Sequence, residues 1–573
     1  MLPRSTSVAI AVLTASIGLS GASGVLGAEA AQQTQDESTA RPNIVLILAD
    51  DLGFTDISPF GSEINTPNIA ALAESGISFS NYHTAGSCAP ARAMLLTGVD
   101  SHRNGVPNIP EALPAEQQAY ENYQGVLGDN VVTLASLLRD EGYHTYMTGK
   151  WHLGHTPELL PSARGFDRTI AMADTGADNW EQRPYLPIYQ KANWYADGEE
   201  HTLPDDFYSS KYFVDKTIEF IAENEADDEP FFAYIPFQAV HMPVQAPREY
   251  SDKYAGVYDE GWTVMRQKRR VAAEVAGVIP ASTETVVTPG TLEWDSLSQE
   301  RKRHHSRRME VYAGMVDAMD MHIGRLMDYL KDIGEFENTL FIFTSDNGAE
   351  GSNLIRVDGT SALGIWFDAV GYNADYDTLG ERGSFNAIGP NNATIAASPL
   401  AYYKFYASEG GLRVPLVMSG PGINRQQEKS DEFVFVTDLT PTILALAGVK
   451  DHGGNWKGNN VEKVIGKDFS KYLAGETDSI HAESLAIGYE LGGNRALFKG
   501  DYKIVFNRSA NDRAWHLFNI KSDPGEARDL SADQPARFTE MISDYEAYVK
   551  ANNVLPMPEG YIQRREIFRG VLN

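Results

Sequence analysis

The chain has 573 residues, of which 42% are hydrophobic, 10% aromatic and 22% charged. That composition excludes disordered, collagenous and coiled-coil chains and leaves room for a sizeable core. The formal net charge of −30 argues against nucleic acid or an anionic membrane as a partner, so an anionic substrate has to be held by a local cationic site.

Residues 1–30 read as a secretory signal peptide: Arg4 supplies the positive start, an apolar run extends from Val8 to Leu19, and Ala28-Glu29-Ala30 offers small residues for cleavage. The protein is therefore expected to be exported, to the periplasm or beyond. The apolar run is too short to span a bilayer comfortably, and no later stretch reaches the roughly 20 apolar residues needed, so no stable membrane insertion is expected. An exported chain with a single cysteine, Cys88, has no intramolecular disulfide, and that lone thiol needs a reason.

Five short apolar runs, at 43–49 (NIVLILA), 143–148 (YHTYMT), 231–237 (FFAYIPF), 340–344 (LFIFT) and 415–419 (PLVMS), suit strands buried on both faces of a mainly parallel sheet. Between them the clearest helical period, Met309, Tyr312, Val316, Met319, Ile323, Leu326 and Leu330, predicts a helix over 309–330 that covers one sheet face. The alternation predicts an α/β sandwich with its site at the carboxyl ends of the strands. Polar residues stand just beyond those ends: Asp50-Asp51, Gly149-Lys150-Trp151-His152, His241 and Asp346-Asn347. If the strands are neighbours, these groups converge on one cleft.

Residues 351–403, rich in Gly, Asn, Ser and Pro, predict a long surface excursion of the kind that forms lids or binding walls. Near the end, 495–506 and 514–519 predict short antiparallel strands, then a turn at Asp523-Pro524-Gly525 and a helix from about Gln534. The Asn-x-Ser/Thr triplets at Asn392 and Asn507 are read as chance. No G-x-x-x-x-G-K-[ST], H-E-x-x-H or G-x-S-x-G pattern is present, so P-loop, zincin and α/β-hydrolase readings have no anchor.

Around the cysteine the chain reads Ser87-Cys88-Ala89-Pro90-Ala91-Arg92-Ala93-Met94-Leu95-Leu96-Thr97-Gly98. Pro90 suits a first helical turn and Gly98 an end, which places Cys88 at a helix N-terminus, where unpaired N–H groups favour negative charge. Arg92 adds a fork of donors for an oxyanion. Asp50-Asp51 and Asp346-Asn347 are hard oxygen ligands at two strand ends, and a divalent cation would offset their repulsion. Taken singly, such pairs more often cap turns, and His152, His241, Lys150 and Lys404 would be ordinary polar residues.

Together they resemble a known pattern. Cys88-x-Pro90-x-Arg92 with Leu96-Thr97-Gly98 resembles the type I sulfatase signature, in which the cysteine is converted to Cα-formylglycine. It lies after Asp50-Asp51 in RPNIVLILADDLGF and before Gly149-Lys150-Trp151-His152-Leu153-Gly154, which resembles the second sulfatase signature. The likeness continues through FQAVHMPVQAP at 237–247, Ser345-Asp346-Asn347-Gly348, Lys404 before Glu409-Gly410-Gly411, and Asp523-Pro524-Gly525-Glu526. The mature chain is similar to bacterial arylsulfatases over nearly its whole length, with Ala91 where the family usually places Ser or Thr.

The resemblance implies an alkaline-phosphatase-like sandwich, its mainly parallel mixed sheet between helices, as a catalytic α/β domain over 31–465. A smaller α+β subdomain with a short antiparallel sheet is expected over 466–573. It implies sulfate monoester hydrolysis with one Ca²⁺ held by Asp50, Asp51, Cys88, Asp346 and Asn347, although the residue types alone do not separate Ca²⁺ from Mg²⁺. The implied catalytic set is Cys88, as formylglycine, with Arg92, Lys150, His152, His241, Asp346 and Lys404. The implied partners are a sulfate ester and a formylglycine-generating or other sulfatase-maturing enzyme. Two alternatives stay open on sequence: a formylglycine-dependent phosphonate monoester or phosphodiester hydrolase, and a noncatalytic protein that binds sulfated polymers.

Overall fold

The computed structural model describes residues 41–227, 229–354, 363–508, 510 and 512–569; the expected signal peptide lies outside them. The apolar runs become the centre of a ten-stranded sheet. From edge to edge its order is Glu428–Ser430, Ile77–Phe79, Leu416–Ser419, Thr339–Ser345, Asn43–Ala49, Phe231–Pro236, His144–Lys150, Arg168–Met172, Trp194–Ala196 and Glu199–Glu200. The five strands from Thr339–Ser345 to Arg168–Met172 are mutually parallel. They are continuous hydrophobic runs because both faces are buried: one apolar layer takes Ile44, Leu46, Leu48, Leu340 and Ile342, the other Val45, Ile47, Phe341 and Phe343. The run at 415–419 joins the same sheet as Leu416–Ser419, antiparallel to both of its neighbours.

Register decides what happens at the carboxyl ends. Ala49 pairs with Ser345 and Leu48 with Pro236, so Asp50-Asp51, Asp346-Asn347 and the segment leading to His241 leave the sheet side by side. The adjoining strand ends on Lys150. Gly149, at φ 145°, lets this strand pass its neighbour closely, because a Cβ there would lie 1.9 Å from the Pro236 carbonyl oxygen. Gly149→Ala is expected to cost roughly 1–3 kcal/mol through that overlap. Thermal unfolding should show a lowered Tm, whereas Gly364→Ala, where a Cβ meets nothing within 4 Å, should leave it nearly unchanged.

The helix expected over 309–330 extends over Gln299–Asp332. Its first turns, QERKRHH, carry no apolar period, and the start is marked instead by Ser298, whose side chain accepts from the Arg301 N–H. Its apolar stripe is buried as the period requires, but the opposite positions Val311, Met315 and Ala318 are buried too, since the helices Ser209–Glu223 and Arg248–Ser251 pack on it. Among the described residues, no helix is long and apolar enough to cross a membrane.

Toward the C-terminus, four antiparallel strands, Ala486–Leu491, Asn494–Lys499, Tyr502–Phe506 and His516–Asn519, form a second sheet. Its first strand carries no clear signal in the sequence. One face takes Met541 and Tyr545 of the helix Pro535–Ala551 onto Leu497, Ile504 and Leu517. From the other, Leu491, Ala496, Phe498 and Val505 enter the apolar layer of the main sheet. Lys503, fully buried, bonds Glu409 and Glu526 at 2.9 Å each, so Glu526 of the Asp523-to-Glu526 motif helps tie the second sheet to the helix Glu409–Leu412. Asn392 and Asn507 are 2% and 8% exposed, too enclosed for a glycan.

Candidate active site

Cys88 is the first residue of the helix Cys88–Thr97, which Gly98 closes in the left-handed conformation (φ 65°) with its N–H on the Met94 carbonyl. The whole helix is buried, so its N-terminal dipole acts with little solvent screening. The thiol donates to Asp50 Oδ1 at 3.4 Å and lies 3.8 Å from Asp51 Oδ1. Burial pushes it well above the usual thiol range; Lys150 and Lys404 oppose that rise, while Asp346 and Asp50 add to it. Unmodified, this sulfur is a poor nucleophile.

The other expected residues gather around it. Arg92 donates through Nε and Nη2 to Asp346 Oδ2 (2.9 and 2.6 Å) and through Nη1 to the Lys150 carbonyl (2.7 Å). The fork expected to face an oxyanion is thus filled by protein, and Arg92 holds Asp346 in place. Lys150 Nζ contacts Asp50 Oδ2 at 2.7 Å. Lys404 Nζ lies 2.7 Å from Asp51 Oδ1 and 3.1 Å from Glu350 Oε2, and Asn347 Nδ2 donates to Asp51 Oδ1 at 2.7 Å. His241 Nδ1 faces the Met242 carbonyl at 2.6 Å, which makes Nδ1 the protonated nitrogen and presents Nε2, 3.6 Å from Asp51 Oδ2. His152 stands apart: its Nε2 contacts Glu111 Oε2 at 3.3 Å. Asp51 and His152 both hold left-handed backbone, φ 65° and 57°, strain of the kind that accumulates where side-chain direction matters.

The electrostatics are those of a site built around charge. Burial raises Asp50 to about 7, with Lys150 working against the rise. Burial also works to raise Asp51, but Lys404, His241 and Lys150 outweigh it and hold that carboxyl far below its usual range. Burial drives the His241 imidazolium well down despite Asp51. For Lys404 burial is overcome by Asp51, Cys88 and Glu350, which keep it protonated.

The donor set fits a hard cation. Ligand atoms of Asp50, Asp51, Cys88 and His241 all lie within 4.8 Å of one another. Asp51 Oδ2 and Asn347 Oδ1 are buried acceptors with no hydrogen-bond partner. Buried acceptors without a donor are costly unless a cation or water serves them, so Asp50, Asp51, Asp346, Asn347 and residue 88 could hold one.

Cys88, with His241 and Lys404, opens on a cavity of ≈ 480 Å³. Its polar lining includes Ser87, Glu111, Glu350 and Arg564, and Tyr185, Leu186, Met242, Phe405, Ile562 and Phe568 form much of its apolar wall. Gly351–Leu354, Pro390 and Tyr403 also line it, so part of the stretch 351–403 forms a wall, but the stretch is not the surface excursion expected: it carries the helix Gly364–Val370, and the helix Gly389–Ala396 and its flanks are buried in the fold; residues 355–362 lie outside the described residues. Sequence reasoning missed Glu111, Glu350, Tyr185 and the C-terminal helix Gln563–Ile567, none of which sits in a recognisable local motif.

A profile of the sulfatase family matches residues 42–449. The chain is 39% identical over 539 residues to an uncharacterized sulfatase of Schizosaccharomyces pombe, covering 91% of this chain and 96% of that one. It is 36% identical over 426 residues to an arylsulfatase of Klebsiella aerogenes, covering 74% and 89%. Among solved structures, Ps i-CgsB in complex with k-i-k-neocarrahexaose aligns with TM-score 0.63 at 24% identity, over 92% of this chain and 97% of that one. Its likeness concerns the fold, which is alkaline-phosphatase-like.

Proposed function

The chain belongs to the sulfatase family and is a sulfuric ester hydrolase, and on that premise we propose that it is an exported, calcium-dependent arylsulfatase-like enzyme whose Cys88 is matured to formylglycine. The observation that carries this reading is a helix-N-terminal cysteine that opens on a cavity beside His241 and Lys404 and is backed by the buried Asp50, Asp51 and Lys150. A sulfate monoester needs cations around its oxygens and an acid for its leaving group, and that set supplies both.

When present, the formylglycine hydrate would supply the attacking hydroxyl and Ca²⁺, held by Asp50, Asp51, Asp346, Asn347 and residue 88, would neutralise sulfate oxygens. Asp346, fixed by Arg92, accepts a proton at its carboxylate from the nucleophile. Lys150 and Lys404 bind sulfate oxygens through Nζ. His241 passes a proton from Nε2 to the departing alcohol oxygen, assisted by Lys404; burial disfavours its imidazolium, and the negative charge of a bound sulfate acts in the opposite sense. His152 takes a proton at Nδ1 when the aldehyde is regenerated. The apolar wall excludes water around these transfers.

The test is a panel of esters offered to protein coexpressed with a formylglycine-generating enzyme. Inorganic sulfate should be released from an aryl sulfate, with kcat/KM at least about tenfold above that for the matching aryl phosphonate monoester, which differs in charge and transition-state geometry. The reverse ranking would reassign the enzyme to phosphonate ester hydrolysis.

A further inference from the structure

We propose that Glu111 is a positioning residue for His152, setting which nitrogen of that ring carries the lone pair; the inference rests on the reading of His152 as a base. The short 3-10 turn Pro110–Ala112 carries Glu111 to the cavity wall. There Oε2 contacts His152 Nε2 at 3.3 Å and Oε1 accepts from the Tyr189 phenol. A carboxylate only accepts, so in the neutral ring the proton sits on Nε2 and Nδ1 keeps the lone pair. Nδ1 is buried and has no hydrogen-bond partner, so its lone pair is not spent on the protein. With both carboxylate oxygens engaged, Glu111 cannot swing without breaking one contact, and the ring is held against rotation.

The charges around the ring agree with this division. Burial lowers the basicity of His152, Glu111 opposes that, and Lys150 and Arg92 reinforce it. Burial works to raise Glu111 itself, but His152 and Tyr189 outweigh it, so the carboxylate stays ionised. Tyr189 in turn faces Asp174 as well as Glu111. Among the strongest influences on the His152 ring, Glu111 supplies the negative charge and Lys150 and Arg92 the positive. Its replacement should weaken the base without emptying the sulfate subsite.

The experiment compares kcat and KM against pH, on an aryl sulfate, for matured wild-type, Glu111→Gln, Glu111→Asp, Tyr189→Phe and His152→Ala enzymes. Glu111→Gln keeps an acceptor and the shape but loses the charge. Its kcat should fall roughly 10- to 100-fold with KM falling alongside it and kcat/KM within about twofold, because His152 acts after the alcohol has left, and the acid limb of kcat should move to lower pH because the ring is easier to keep deprotonated. Glu111→Asp should recover part of kcat. Tyr189→Phe removes a donor from the carboxylate and makes it more basic, so its acid limb should move the other way, to higher pH, a sign that general loosening of the fold would not produce. If Glu111→Gln fails to fold, the Tyr189→Phe shift decides alone. An unchanged kcat and acid limb in the Glu111 and Tyr189 variants, or a change in KM only, beside an impaired His152→Ala enzyme, overturns the positioning role. A His152→Ala enzyme that turns over like wild type overturns the reading of His152 as well.

Discussion

Cys88→Ala removes turnover of sulfate esters, by roughly 10⁴-fold or more, while leaving the fold intact. The loss is this large because nothing else at the helix N-terminus can attack. Ser87 is the neighbouring hydroxyl, and its Oγ is buried with no partner to activate it. The substitution is mild for stability, since Cys88 makes only weak sulfur contacts, to Asp50 and Asp51, and the helix it begins is buried along its length. The same reasoning predicts that protein made without a maturing enzyme is folded and inactive: its thiol is buried between Asp50 and Asp51 and pushed far from ionisation. Peptide mass spectrometry checks this directly, since conversion to the aldehyde makes the Cys88 peptide about 18 Da lighter. Full activity in a preparation whose Cys88 is entirely thiol would refute the assignment, and a matured chain that binds sulfated polymer without cleaving any ester would make it a binding protein.

Asp51→Asn should lower kcat/KM by about 10³-fold and reduce the bound metal below one ion per chain. Asp51 has one oxygen engaged and one free for a cation: Oδ1 holds Lys404 and Asn347, and Oδ2 is buried with no hydrogen-bond donor. The amide keeps the shape but lowers the charge, so it weakens the cation and frees Lys404 to lean on Glu350 alone. Exhaustive chelation of the wild-type enzyme should have the same effect, reversed by adding Ca²⁺. Elemental analysis alongside the assay separates loss of metal from loss of fold, and undiminished activity after verified metal removal would exclude a catalytic cation.

The central strands were legible in the sequence because each is a run buried on both faces, and such a run needs no partner to be recognised. Asn43–Ala49 and Phe231–Pro236 lie almost where the apolar letters put them. The strand Ala486–Leu491 was not legible: AIGYEL has a glycine and a glutamate among its apolar letters. Gly488 is required there because a Cβ would meet the Tyr548 ring at 2.2 Å, and Glu490 because it pairs with His102 at 2.9 Å. Both are answers to residues more than fifty positions away.

Local chemistry carries its own signal when the function needs residues at fixed short spacing, as with Cys88 and Arg92 one helical turn apart, or Asp50-Asp51 at a strand end. The sequence by itself therefore determined the α/β class, the cysteine at a helix N-terminus and the sulfatase resemblance. Tertiary structure alone decided that Arg92 spends its fork on Asp346, that Lys404 divides itself between Asp51 and Glu350, and that Glu111 and Tyr189 stand behind His152. Those pairings join elements 41 to 353 residues apart in the chain: strand register brings Asp51 and Asp346 side by side, and the packing of loops places Glu111, Tyr189, Glu350 and Lys404, long-range properties that no local window of sequence contains.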